Sequence, residues 1–515
     1  MKTKAVGLFL LIFIFLGWSQ SQGQEKVLNP GELYDSSMDL YRQGKWEEAI
    51  QGFSKVAQST PVSKLASYSQ YMIGLCYLKM EKYEEAIQPL ELYLKNYPEG
   101  DRTSEAEKAI QMARVQVKEK TLAPAPVSEP VVKESLPELK KARRRICAQV
   151  VNLEGRNLEE VEKRVKELKD AGVNTLIFRV FQNKGDRTYK FATPRHEEGV
   201  YFKTEYAPVV DDILGKIAEI VHRNGLEIFA WTTTRYANYG LEGHREYRSK
   251  RYNFENKQME EARGFNLFHP DVLKRLEGVF RDLGRTPIDG ILFQDDLVLR
   301  HGEDFSAEAN QAFQKEFGYL PHPDLFYIDP YKTESGKYYV KAYTDRFWTW
   351  ANWKNRWLMN VSKRLMEAAR ESNPNLQFAI NLYFEAVLND VNGRVWFSQT
   401  LSEALKNNFD YYAIMAYHRQ AMKDRNIGLK EAIGLMAEVT QKAVEAVGDP
   451  SKVLMKVWIL DWKKNGGVSD ELVPQKEIEE ILTAILNHGE VSLAFVPYID
   501  PFPVHSLKGK WTVPK

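Results

Sequence analysis

The amino-acid sequence predicts an α/β protein: a (β/α)8 TIM-type barrel preceded by a small all-α helical-repeat module. Three observations carry this. Downstream of residue 144, eight short β-branched and apolar runs alternate with amphipathic helical patterns, the count and order of such a barrel. No Gly-rich turn follows the first run, although a doubly wound open sheet, the competing arrangement, needs one to bind phosphate. Upstream, two stretches repeat 37 positions apart: Trp46 with Tyr83, Ala49 with Ala86, Ile50 with Ile87 and Pro61 with Pro98.

Taken in order, residues 1–24 have Lys2 and Lys4, an apolar run over 5–18 and a small polar tail, the layout of a secretory signal peptide. An uncleaved anchor is the alternative, although the run is short for a membrane span. No cysteine follows the run, so no lipobox is present. Residues 30–118 form the repeat module, with repeats at 44–61 and 81–98, preceding helices at 32–42 and 67–79, and a capping helix at 104–118. Small Ala at helix crossings and Pro closing each unit resemble tetratricopeptide repeats. Such hairpins need about three units to close a core, so the module is expected to lean on a protein partner, a second copy or the next domain. Residues 119–140, with Pro124, Pro126, Pro130 and Pro137, read as an extended linker.

The barrel is expected over 141–507. Its strands are predicted at 145–151, 174–181, 226–232, 289–295, 376–383, 410–417, 453–459 and 491–497. The intervening helices are predicted at 158–171, 207–224, 270–283, 341–372, 395–406, 430–447 and 475–487.

With 71 basic and 70 acidic residues in 515, no global field points to nucleic acid. The two cysteines, Cys76 and Cys147, fall in separate domains, so a disulfide scaffold is not expected, and low cysteine use fits an exported protein. His222, His244, His269, His301 and His418 lie in no zinc-binding spacing, and neither a metal nor a cofactor is expected.

A barrel of this kind gathers its chemistry at the C-terminal strand ends. The fourth run ends Phe293, Gln294, Asp295, Asp296, placing two adjacent carboxylates at an apolar mouth where burial and like charge raise a pKa. Glycoside cleavage needs a proton on the leaving oxygen and a second group to stabilise the positive ring. Adjacent residues do not face each other across a bond. The pair therefore suits a division in which one delivers the proton and the other holds an acetamido group or an amine. Helix capping or cation binding is the plain alternative for the pair. Glu303 and Asp304 are weaker candidates on the following loop. Trp231, Asn381, Tyr383, Glu385, Tyr417, His418, Asp461, Trp462, Tyr498 and Asp500 end other runs and supply stacking rings and polar groups suited to sugar, with Glu385 and Asp461 the next carboxylates. Trp350, Trp353 and Trp357 share one helix face and read as packing.

The segments NTLIFRVFQNKGDRTYKFATPRH, LEIFAWTTT, NLFHPDVLKRLEGVFRDLGRTPIDGILFQDDLVL, AINLYFEAVLN, FDYYAIMAY and VSLAFVPYIDPFP, within 144–504, resemble the C-terminal glycoside hydrolase family 153 domain of poly-β-1,6-N-acetyl-D-glucosamine deacetylase/hydrolase proteins. The resemblance implies a periplasmic or outer-membrane-associated Gram-negative enzyme that binds and cleaves, as an endo-acting hydrolase, partially deacetylated poly-N-acetylglucosamine, an exopolysaccharide of biofilms. It puts the family's paired Asp on Asp295 and Asp296 and its Arg-His pair on Arg195 and His196, while Gln294 stands where the family has His. Repeats replace the family's deacetylase domain here, so no deacetylation is expected, and the repeats imply docking to an envelope partner. A non-catalytic polysaccharide-binding or export scaffold is the competing reading.

Overall fold

The computed structural model describes residues 30–59, 64–96, 143–151, 156–185, 194–237, 239–241, 243–333, 338–462 and 468–497, with parts of 102–114 and residues 336 and 509. The expected signal peptide and linker lie outside them. The chain divides into two compact units, Met1–Pro137 and Glu138–Lys515.

The first unit pairs α1 (Pro30–Arg42) with α2 (Trp46–Ser59) and α3 (Lys64–Lys79) with α4 (Tyr83–Asn96). Ala49 and Ala86, the matched small residues, are fully buried. Gly52 lies so close to α1 that a Cβ there would stand 2.0 Å from Ser37 Oγ, and one on Gly74 would stand 2.5 Å from Leu90. Small residues thus set how closely each pair approaches. Phe53, Met72 and Cys76 fill one cluster, and Leu90, Tyr93, Ala106 and Ile110 fill the other.

In the second unit eight strands close a barrel: β1 (Ile146–Val150), β2 (Thr175–Arg179), β3 (Glu227–Thr232), β4 (Gly290–Phe293), β5 (Gln377–Tyr383), β6 (Tyr411–Ala416), β7 (Val453–Trp458) and β8 (Ser492–Val496). Each strand pairs in parallel with its sequence neighbours, and β8 closes on β1 through Cys147 opposite Ala494. The helices that return the chain are α5 (Leu158–Asp170), α6 (Leu214–Arg223), α7 (Pro270–Gly284), α8 (Ala307–Phe317), α9 (Asp345–Arg370), α10 (Asp390–Phe397), α11 (His418–Arg425), α12 (Leu429–Val447) and α13 (Gln475–Leu486). Side-chain caps start several of them: Asn157 accepts from Glu160 N, Ser306 from Ala309 N and Thr344 from Phe347 N.

The strands read as continuous apolar runs because both faces are buried. One face packs on the helices. The other fills the lumen with Cys147, Ile177, Phe229, Leu292, Ala379, Ala413, Leu454 and Ala494. Gly290 is required where strands crowd the lumen, since a Cβ there would lie 2.6 Å from the Phe229 ring. The N-terminal end is closed by Arg145, whose guanidinium sits 4.5 Å from the Phe229 ring centroid and 4.9 Å from that of Tyr411. It bonds Thr175 Oγ1 at 2.8 Å, pairs with Glu227 at 2.5 Å and also bonds Gln377.

The structure differs from expectation in the loops. The helix expected over 395–406 is broken, because Ser398 takes φ +49° after α10 and Thr400 caps a fresh turn, Leu401–Ala404. The helix expected from 207 starts at Leu214, because Pro208 O accepts from Val200 N, tying this segment to the β2 loop. Hairpins Arg248–Asn253 with Gln258–Phe265, and Tyr327–Lys332 with Tyr338–Tyr343, grow from the loops after β3 and β4. The Trp350, Trp353, Trp357 face packs on Phe268 and Phe313, and Trp357 Nε1 donates to Leu267 O.

Candidate active site

Period-two alternation aims every second side chain of each strand inward. At the C-terminal end this brings Trp231 of β3 and Trp458 of β7 over the lumen as an apolar floor. Above them the polar layer begins. Lys456 of β7 is buried and donates to Asn381 Oδ1 at 2.8 Å, while Asn381 Nδ2 donates to Phe293 O at 2.9 Å, fixing both against β4. Burial drives Lys456 down to about 8, against the pull of the Asp295 charge. Tyr383 and Tyr417 are raised, first by burial and then by the same Asp295 charge. Tyr383 stacks on Phe397 at 3.9 Å, and Tyr417 packs on Trp458 at 5.1 Å. Asp295, only partly buried, therefore stands among Lys456, Tyr383 and Tyr417 in an aromatic mouth.

The neighbouring Asp296 is built differently. It is 1 % exposed, and four donors occupy its oxygens: Thr233 Oγ1 at 2.5 Å, Thr234 N at 2.9 Å, Thr234 Oγ1 at 2.9 Å and Tyr236 N at 2.8 Å. Burial raises its carboxyl, and these bonds oppose the rise. Asp296 thus holds the loop after β3 in place beneath the mouth. The adjacency that reads as one site in the sequence is divided in space into a carboxylate beside the opening and one embedded in the wall.

Glu303 and Asp304 are likewise wall residues, correcting their reading as loop candidates for chemistry. Arg235 pairs with Glu303 at 2.9 Å, and Asp304 accepts from Ser249 Oγ at 2.6 Å and Lys250 N at 3.0 Å, anchoring the hairpin after β3. Lys354 of α9 bonds Arg300 O at 2.8 Å and also Glu303 O, and burial lowers it to about 7. Sequence reading missed this lysine and Lys456. Both sit in otherwise apolar or amphipathic patterns, and only closure of the fold shows what they face.

Glu385 begins the turn after β5. Burial raises its carboxyl despite Arg425, and Oε2 is buried without a hydrogen-bond partner among the described residues. Trp231 Nε1 and Gln294 Oε1 are in the same condition. Asp461 accepts from Arg419 at 2.7 Å, and Arg419 is backed by Glu477 at 2.7 Å; Glu477 also meets the buried His418 at 2.6 Å. Arg195 and His196 are exposed on the β2 loop. Tyr498 and Asp500 lie outside the described residues, as does the side chain of Trp462. Among the described residues, no group of three or more His, Cys, Asp or Glu has a metal-holding arrangement. No helix among them is long and apolar enough to cross a membrane.

A closed parallel barrel with a carboxylate and aromatic rings at its C-terminal mouth is an arrangement suited to a glycoside-hydrolase-like protein, and the family comparison gives that class. The chain belongs to the family described as hypothetical glycosyl hydrolase family 13, which matches residues 149–496. Residues 27–127 match a family described as outer membrane lipoprotein. The chain is 22% identical over 361 residues to the poly-beta-1,6-N-acetyl-D-glucosamine N-deacetylases of Escherichia coli K12 and O157:H7. The match covers 66% of this chain and 48% of each relative, so the chain spans about half their length. Among solved structures, the PgaB (BpsB) glycoside hydrolase domain of Bordetella bronchiseptica superposes with a TM-score of 0.54 at 19% identity, over 72% of this chain and 100% of that one. That likeness bears on the fold.

Proposed function

We propose that the barrel is an endo-acting glycoside hydrolase that cleaves partially deacetylated poly-β-1,6-N-acetyl-D-glucosamine or a related amino-sugar exopolysaccharide, or processes it during export, in the envelope of a Gram-negative bacterium. The observation that carries this is the partly open Asp295 among Lys456, Tyr383 and Tyr417, above a tryptophan floor. Sugar rings stack their apolar faces on such rings and need carboxylates and amides for their hydroxyl and acetamido groups. The amino-sugar choice draws on the relatives named above.

In this reading Asp295 faces the sugar and stabilises positive charge developing at the anomeric carbon. Glu385, whose burial favours its protonated form, gives its proton to the leaving oxygen as the glycosidic C–O bond breaks. Water then adds to the anomeric carbon and gives a proton to Glu385, so that both carboxyl groups end as they began. Asp296 and Asn381, both buried and fully bonded, are positioning residues, Asn381 through its bond to Lys456, and Trp231 and Gln294 bind substrate. Arg195, His196, Asp461, Trp462 and Tyr498 are proposed as further substrate-binding residues, and the repeat unit to recruit an envelope protein.

The test is product analysis on partly deacetylated polymer with the full chain, Asp295→Asn and Glu385→Gln. Wild type should release oligosaccharides, Asp295→Asn should lose on the order of a hundredfold or more in rate, and both variants should retain the wild-type circular dichroism. Polymer binding without any cleavage by wild type would retire the hydrolase in favour of a binding scaffold.

A further inference from the structure

The loop after β4 carries an aromatic feature that the chemistry above does not use. In the hairpin Tyr327–Lys332 with Tyr338–Tyr343, Tyr331 is paired across from Tyr339 and Tyr327 across from Tyr343, so alternation lines four tyrosines along one face. The two at the base are rooted: Tyr343 stacks on Phe347 at 4.1 Å, and Tyr327 Oη donates to His301 O at 2.7 Å. The two at the tip face water. Tyr331 is 51 % exposed and Tyr339 36 %, their rings stacked at 6.2 Å. With Ile328, this hairpin holds three of the ten exposed large apolar side chains among the described residues, a concentration that core packing does not require.

The rings continue to the mouth. Tyr339 meets Trp396 edge-on at 6.2 Å. Trp396 precedes Phe397, which stacks on Tyr383, the ring that feels Asp295. Arg300 fastens this joint, donating to Trp396 O at 3.0 Å and lying 5.0 Å from the Phe397 centroid. Among the described residues of the hairpin the charges are matched: Lys332 pairs with Glu255 at 2.6 Å and Lys341 with Asp329 at 3.6 Å. What remains is a nearly neutral aromatic face, rigid at its root and continuous with the opening.

We infer that this hairpin is a remote sugar-binding arm: Tyr331 and Tyr339 stack uncharged, N-acetylated pyranose rings of the polymer while another part of the same chain lies at Asp295. The arm rests on the hydrolase reading for its occupant. It takes apolar ring faces, so a long, acetyl-rich polymer gains from it and an oligomer too short to leave the mouth does not.

The test compares the full chain with Tyr331→Ala/Tyr339→Ala and with Tyr331→Trp/Tyr339→Trp on long polymer and on short oligomers, together with polymer binding in an Asp295→Asn background. Both tyrosines are solvent-facing, so the fold should survive. The double Ala variant should raise KM for polymer, and Kd in the inactive background, roughly tenfold, leaving kcat and oligomer kinetics unchanged. The double Trp variant should restore polymer binding. Unchanged polymer KM and Kd in an active double Ala variant would overturn the arm alone. A wild-type chain that neither binds nor cleaves the polymer would overturn the arm and the hydrolase together. Loss of self-association by sedimentation, with polymer binding intact, would overturn the arm by making the hairpin a contact between copies.

Discussion

Replacing Asp296 by Ala removes the acceptor for four donors in one buried pocket. Two are hydroxyls, Thr233 Oγ1 and Thr234 Oγ1, which can rotate toward other acceptors. The other two, Thr234 N and Tyr236 N, are backbone groups with fixed direction. Each buried donor left without a partner costs about 1–3 kcal/mol, so the pair of backbone groups sets a loss of roughly 2–6 kcal/mol. Asp296→Asn has a different outcome. An amide can keep its oxygen toward Thr233, Thr234 N and Tyr236 N and turn its nitrogen toward the Thr234 hydroxyl, which then accepts, for a loss of about 1 kcal/mol. Urea unfolding of the barrel transition, followed by tryptophan fluorescence at neutral pH, measures both. Equal losses from Asn and Ala, or an Ala variant within about 1 kcal/mol of wild type, would refute the view that this residue acts by holding the β3 loop.

Three other outcomes follow from the same structure. The folded value of Lys456, about 8 against its ordinary 10.5, means the unfolded chain binds more protons between them, so stability rises over that pH window; Lys456→Met should abolish the rise in pH-dependent unfolding and remove an alkaline limb near pH 8 from the rate profile. For Glu477, burial is outweighed by the Arg419 and His418 bonds, which hold the carboxyl below its ordinary 4.5, so its contribution is present above that value and lost as pH falls; Glu477→Gln should flatten the acid side of the stability profile. Gly290→Ala, forced against the Phe229 ring and 2.7 Å from Gln377 O, should cost about 1–3 kcal/mol or more in a thermal or urea melt.

The barrel strands were legible because burial on both faces leaves an unbroken apolar run, and RICAQVV or VSLAFVP carries that mark without any tertiary knowledge. The exposed ribbons were not. Arg251 with Glu260, and Arg245 with Glu261, hold the hairpin after β3 together by ion pairs on residues that read as loop. The candidate site was legible as a location, the end of β4, but not as a division of labour. The partners that immobilise Asp296 lie 60 to 63 positions upstream, a distance across which no periodicity speaks. Lys456 hides inside VLMKVWI, where its charge acquires meaning only once Asn381 and Asp295 are brought opposite it.

Arg145 gives the molecule a one-way geometry. With its guanidinium wedged between Phe229 and Tyr411 and tied to Glu227 and Thr175, the lower rim is stoppered by a charge too well coordinated to swing aside. The lumen above it is filled by side chains as well, so the barrel is no channel, and only its upper rim can receive a ligand.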